Sequence, residues 1–237
     1  MDDAARRVLA AAIVEALETG NPIAPLVAGL RPADVPAGEA VAEDVLDELA
    51  LPPSGLRLAP GPDGAMLAGP MIDARLLSSG ARVALGALRH PRVSAAAIGV
   101  LAAPLGKGAP RFAAVLPALD IAASRFRDGA PDDAVAAADL AGLGLVVAGR
   151  RATWDGAGVA AALTRGKARP RDLPVDLKAR FAAAAARARD LGGLPAGGLL
   201  VVAGLTPAIV PAAGETWTAR LAGLGSARAE FDGGAER

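Results

Sequence analysis

The stretch Val93-Ser94-Ala95-Ala96-Ala97-Ile98-Gly99-Val100-Leu101 decides how this chain is read. It carries no charge and has the length of a strand that is buried rather than half-exposed. Working outward, Arg82-Val83-Ala84-Leu85 alternates as a half-buried strand should. Leu143 to Val147, Leu199 to Ala203, Thr216 to Leu221 and Ser226 to Phe231 are further strand-length runs, set apart by Gly and Pro. One long helix interrupts them over residues 175–190, with Leu177, Phe181, Ala184 and Ala185 inward and Lys178, Arg187 and Arg189 outward. Asp172 or Asp176 suits its N-terminal end.

Towards the N-terminus the texture is helical. Residues 4–18 place Ala5, Val8, Leu9, Ala12, Ile13 and Ala16 on one face and end at Gly20. A second helix is expected over residues 37–50, with Val41, Val45, Leu46 and Leu49 inward. Its acidic run, Glu39, Glu43, Asp44, Asp47 and Glu48, reads as a solvated face. The expectation is an α+β fold, with a helical region over 1–50 and a β-rich domain over 51–237 forming one structural unit.

Composition narrows the function. Lys plus Arg is 25 and Asp plus Glu is 25, so no basic stripe for nucleic acid is expected. The chain has no cysteine, which excludes disulfides, thiolate nucleophiles and Cys-type metal sites. Although 53% of residues are hydrophobic, the uncharged stretch Leu191–Gly214 holds six glycines and three prolines, a poor membrane helix. The acidic start Met1-Asp2-Asp3 is no secretory leader, and a cytoplasmic protein is expected.

The single histidine, His90, precedes Pro91 and reads as a turn residue. No serine lies in a nucleophile-elbow context, and Gly142-Leu143-Gly144 lacks the third glycine of a phosphate loop. Carboxylate and arginine chemistry remains, with Asp73, Asp120, Asp132 and Asp133 as the main acids before Gly149. Spacing alone does not show whether they converge.

The order of segments is more informative than any one of them. Thr19-Gly20-Asn21-Pro22-Ile23-Ala24-Pro25-Leu26 follows the first helix, Gly55-Leu56-Arg57-Leu58 follows the second, and Pro117-Ala118-Leu119-Asp120-Ile121 and Asp133-Ala134-Val135-Ala136 come later. The chain ends with Pro195-Ala196-Gly197, Ala203-Gly204-Leu205-Thr206-Pro207, Ala213-Gly214-Glu215 and Gly223-Leu224-Gly225-Ser226. In this order it resembles the 2-keto-4-pentenoate hydratase branch of the fumarylacetoacetate hydrolase superfamily. The resemblance implies a mixed, curled β-roll, an oligomer, and a divalent metal that chelates a 2-keto or 2-hydroxydienoate acid and stabilises enolate charge.

Carried over by position, the family's pair of strand glutamates falls on Ser94 and Ala96, and its third glutamate on the shorter Asp120. Its lysine falls on Arg57, which stays charged and so cannot shuttle protons. The acid after the Gly-Pro turn is kept as Asp73, while a polar segment becomes Ala137-Ala138-Asp139-Leu140. The resemblance thus implies Arg57 and Asp73 as candidate catalytic residues, Arg57, Gly204, Leu205 and Thr206 as candidate substrate contacts, and Asp120 as the remnant of a metal site. A buried Asp120 would need a partner, with Arg57, Arg92 and Arg125 as candidates.

Three readings follow: a hydratase-like protein without the metal-dependent activity, serving as a binding or accessory subunit; an active lyase or hydratase working without metal; and an enzyme with a rebuilt Mg²⁺ or Mn²⁺ site. The first expects no cofactor, a small 2-keto acid as ligand, a homo-oligomer or a partner enzyme, and neither nucleic acid nor membrane.

Overall fold

The computed structural model describes residues 1–233. Helix α1 (Asp3–Thr19) is capped by the Asp2 side chain and stopped by Gly20, whose positive φ a side chain would strain. Its buried face is Leu9, Ala10, Ile13, Val14 and Ala16, whereas Val8 is 55% exposed. The stripe is therefore turned away from the expected one, because Val14 and Ala10 rather than Val8 and Ala5 meet the neighbouring helix and sheet. Helix α2 (Val35–Glu48) begins earlier than expected, since Asp34 accepts from the Ala37 amide at 2.9 Å and Pro36 occupies the first turn.

The strands are β1 (Gly55–Pro60), β2 (Met66–Met71), β3 (Leu76–Ser78), β4 (Ala81–Ala84), β5 (Arg92–Leu101), β6 (Phe112–Ala122), β7 (Leu143–Ala148), β8 (Val159–Arg165), β9 (Leu173–Val175), β10 (Leu199–Val202), β11 (Thr216–Leu221) and β12 (Gly225–Asp232). The short helix α3 (Asp133–Ala138) precedes β7, and α4 (Leu177–Asp190) precedes β10. Asp176, not Asp172, caps α4 by accepting from the Ala179 amide at 2.9 Å, while Asp172 pairs with Arg220.

Seven strands form one mixed sheet in the order β2-β1-β10-β5-β6-β7-β3, and five form a second in the order β4-β12-β11-β8-β9. The sheets pack through Val93, Ala95 and Ala97 of β5, Leu119 and Ile121 of β6, and Trp217, Ala219, Ala229 and Phe231 of the second sheet. Phe181 of α4 closes this core beside Phe112, with ring centroids 4.5 Å apart. The other face of the larger sheet is covered by α1, α2 and α3, where Leu9, Ile13, Val41, Val45 and Val135 meet Ala96, Ile98, Ala118 and Val201. Burial on both sides explains why β5 reads as a continuous apolar run.

The acidic run of α2 is not wholly solvated. Glu39 takes the Arg187 guanidinium of α4 at 2.6 Å, and Asp44 takes Arg6 of α1 at 2.8 Å. Glu43, Asp47 and Glu48 face solvent as expected. Among the described residues no helix is long and apolar enough to cross a membrane.

Candidate functional site

Arg57 lies on β1 and Asp120 on β6, with β10 and β5 between them. The registers align Arg57 with Val201, Ile98 and Leu116, four residues short of Asp120. In a flat sheet the two Cα atoms would be about 14 Å apart across the strands and about 13 Å along them. No arginine spans that. The sheet curls instead, bringing β2 at one edge back against β7, and the two side chains meet inside the curl.

There the pair is bidentate. Arg57 Nε donates to Asp120 Oδ1 at 2.6 Å, Nη2 donates to Oδ2 at 2.7 Å, and Nη1 donates to the Ala141 carbonyl at 2.8 Å. The side chains are 1% and 4% exposed. Leu140 and Ala141 both hold positive φ, 54° and 52°, a left-handed backbone that costs a non-glycine residue about 1 kcal/mol or more each. This turn aims the Ala141 carbonyl at Arg57. Gly69 of β2 lets it approach, since an added Cβ would lie 2.7 Å from both the Leu140 oxygen and the Ala141 Cβ.

The remaining positions flank this pair. Ser94 is the register partner of Asp120, and its Oγ accepts from the Gly204 amide at 3.2 Å. Ala96 is fully buried among apolar neighbours. Leu205 N–H donates to the Ala95 carbonyl at 2.9 Å, and Thr206 Oγ1 accepts from the Ala95 amide at 3.0 Å. Gly204, Leu205 and Thr206 thus extend the pairing of β10 with β5, which engages the Gly204 and Leu205 amides and the Thr206 hydroxyl oxygen. Asp73 is exposed in the turn after β2 and shares no hydrogen bond or ion pair with Arg57.

Two other acids are structural. Asp132 caps α3 and pairs with Arg31, and Asp133 accepts from the amides of Asp63 and Ala65 at 3.0 and 3.2 Å. His90 is exposed at a turn with its Nε2 2.8 Å from the Arg127 carbonyl oxygen.

The chain also contains a second buried pair that its sequence did not reveal. Asp139 is fully buried, pairs with Arg125 Nε, and accepts from the Ser124 hydroxyl at 2.9 Å and the Arg125 amide at 3.0 Å. Arg125 also donates to the carbonyls of Leu143 and Asp139. Burial pushes the Asp139 carboxyl above the usual carboxylate range, opposed by the Arg125 charge and these hydrogen bonds. No local pattern links residues 14 apart in this way.

The donor set does not fit a divalent cation. Mg²⁺ or Mn²⁺ needs several oxygens that converge and stay free to bind. Ala96 supplies none, the Ser94 hydroxyl already accepts an amide, and both Asp120 oxygens accept from a guanidinium whose charge would repel the ion. Among the described residues no group of three or more His, Cys, Asp or Glu side chains is placed to hold a metal.

No family model matches the chain, and no curated protein does either. Solved structures do. The 4-oxalocrotonate decarboxylase from Pseudomonas putida superposes with a TM-score of 0.82 in its complex with magnesium and adipate and 0.81 in its complex with calcium and acetate. In each case 98% of both chains is covered at 20% identity. The 2-hydroxyhepta-2,4-diene-1,7-dioate isomerase from Mycobacterium marinum matches over 78% of each chain, with a TM-score of 0.56 and 11% identity. The chain shares the curled, mixed α+β fold of these solved structures, the fold that the resemblance to the fumarylacetoacetate hydrolase superfamily implied.

Proposed function

We propose that the chain is a hydratase-like member of that superfamily that has lost metal-dependent lyase chemistry and serves as a binding or accessory subunit, in a homo-oligomer or beside an active enzyme. One observation carries the reading: the buried Arg57–Asp120 pair lies inside the curled sheet and engages both oxygens of the one carboxylate left at the positions where the resemblance would put the metal. A metal-free hydratase anchored on Arg57 would have to pull the guanidinium from Asp120. That would leave a buried carboxylate bare, at about 3–5 kcal/mol.

The direct test is the ultraviolet decay of 2-hydroxypenta-2,4-dienoate with purified protein, with Mn²⁺ and with chelator. The expected result is no decay above buffer in either condition. Metal-dependent decay that disappears in Asp120→Ala would overturn the reading. For the accessory role, the tagged chain expressed in its native cell is expected to bring down an enzyme acting on 2-keto acids. Recovery of the chain alone would remove that half of the proposal.

A further inference from the structure

A cavity lies away from the Arg57–Asp120 pair, at the C-terminal end of α1. It measures about 100 Å³ and is lined by Gly20 and Asn21, by Arg75 in the turn after β2, by Arg89, and by Ser124 and Arg125 after β6. Three arginines thus line one small space. Their partners differ. Arg125 is neutralised by Asp139. Arg89 lends one nitrogen to the Gly20 carbonyl at 3.3 Å. The half-buried Arg75 guanidinium makes no hydrogen bond or ion pair among the described residues. Burial, and then the nearby Arg125 charge, hold it below its ordinary pKa.

The end of α1 contributes a partial negative charge of about one half, too little to offset Arg75 and Arg89 together. Arg75 and Arg89 thus bring positive charge to the cavity wall, and the arginine fork suits planar or tetrahedral oxyanions. The cavity volume of about 100 Å³ is room for a small anion.

We propose that the cavity bounded by Arg75, Arg89 and Arg125 at the end of α1 is a binding site for one small oxyanion, a short-chain carboxylate or a phosphate. It stands independently of the reading of the Arg57–Asp120 centre, because it shares no residue with it.

Isothermal titration with sodium phosphate and with sodium pyruvate, at ionic strength held constant with chloride, tests this on the full chain. One of the two anions is expected to bind saturably at one site per chain, and the tighter of them identifies the ligand class. Arg75→Met is expected to weaken binding roughly tenfold or more, the loss of a charge-assisted pair of hydrogen bonds. Arg89→Met, at an exposed position, should weaken it less, and Arg111→Met, outside the cavity, not at all. Thermal melts give a second readout. Without anion, Arg75→Met should melt no lower than the parent, since it removes a repulsion, and on adding anion the parent should gain more stability than Arg75→Met. No saturable binding of either anion, undiminished binding in Arg75→Met and Arg89→Met, or equal weakening in Arg111→Met would each overturn the site.

Discussion

Arg57 and Asp120, 63 residues apart in sequence, form a two-pronged buried ion pair across the inside of the curled sheet, with N–O distances of 2.6 and 2.7 Å. A third arginine nitrogen is held by the Ala141 carbonyl. Such a pair is weak evidence for stability as it stands, yet breaking it from one side is expensive, because the survivor stays desolvated.

Asp120→Ala is accordingly expected to lower unfolding free energy by about 3–5 kcal/mol, measured by denaturant titration. Replacing both partners by apolar residues of similar size, Arg57→Met with Asp120→Leu, should be neutral or stabilising by about 1–4 kcal/mol. A loss below about 1 kcal/mol in Asp120→Ala would mean that water reaches the pair and that the centre is not sealed.

Gly69→Ala probes the turn that supplies the third acceptor. The new methyl would press on the Leu140 oxygen and the Ala141 Cβ. A cost of about 1–3 kcal/mol is expected, the usual scale of overpacking. An unchanged melting curve would show that the Leu140–Ala141 turn yields freely and does not pin Arg57.

Mn²⁺ titration of the wild-type chain, followed by calorimetry, should reveal no saturable site that depends on Asp120. The oxygens at the three ligand positions are absent or engaged. Saturable binding abolished by Asp120→Ala would show that Arg57 swings away and frees the Asp120 carboxylate for the ion.

Glu215 offers a pH test. The Ala212 amide at 2.9 Å, Arg165 at 2.9 Å and Trp217 Nε1 at 2.8 Å hold its carboxyl below the ordinary value of 4.5. The folded carboxyl thus binds its proton more weakly than the unfolded one. Its stabilisation is full above the ordinary value and is lost as pH falls through the depressed one. The melting-temperature gap between the parent and Glu215→Gln should be constant from neutral pH down to about 5 and shrink below that. A gap that widens on acidification would reverse the sign and reject the assignment.

Local signals in the sequence carried much of this architecture. Periodicity marked β5, β7, β10, β11, β12 and α4, because burial on one or both faces writes a repeat of two, an apolar run or a repeat near 3.6 into adjacent residues. β2 and β8 escaped notice. Gly69-Pro70 interrupts Met66-Leu67-Ala68-Gly69-Pro70-Met71, and three alanines leave Val159-Ala160-Ala161-Ala162-Leu163-Thr164-Arg165 without a marked face. The substitution of Ser94, Ala96 and Asp120 at the ligand positions was likewise legible, since it is a statement about residue types in order.

What those residues do was decided only in three dimensions. Asp120 had Arg57, Arg92 and Arg125 as possible partners, and charge alone does not choose among them. The curl of the sheet brings Arg57 to Asp120, while the turn at Asp139 claims Arg125. The same folding places Arg75 beside a small cavity with no ion pair among the described residues. Elements form from neighbours in sequence, whereas ion pairs and cavities depend on how strands far apart in the chain converge, and that convergence leaves no periodic trace.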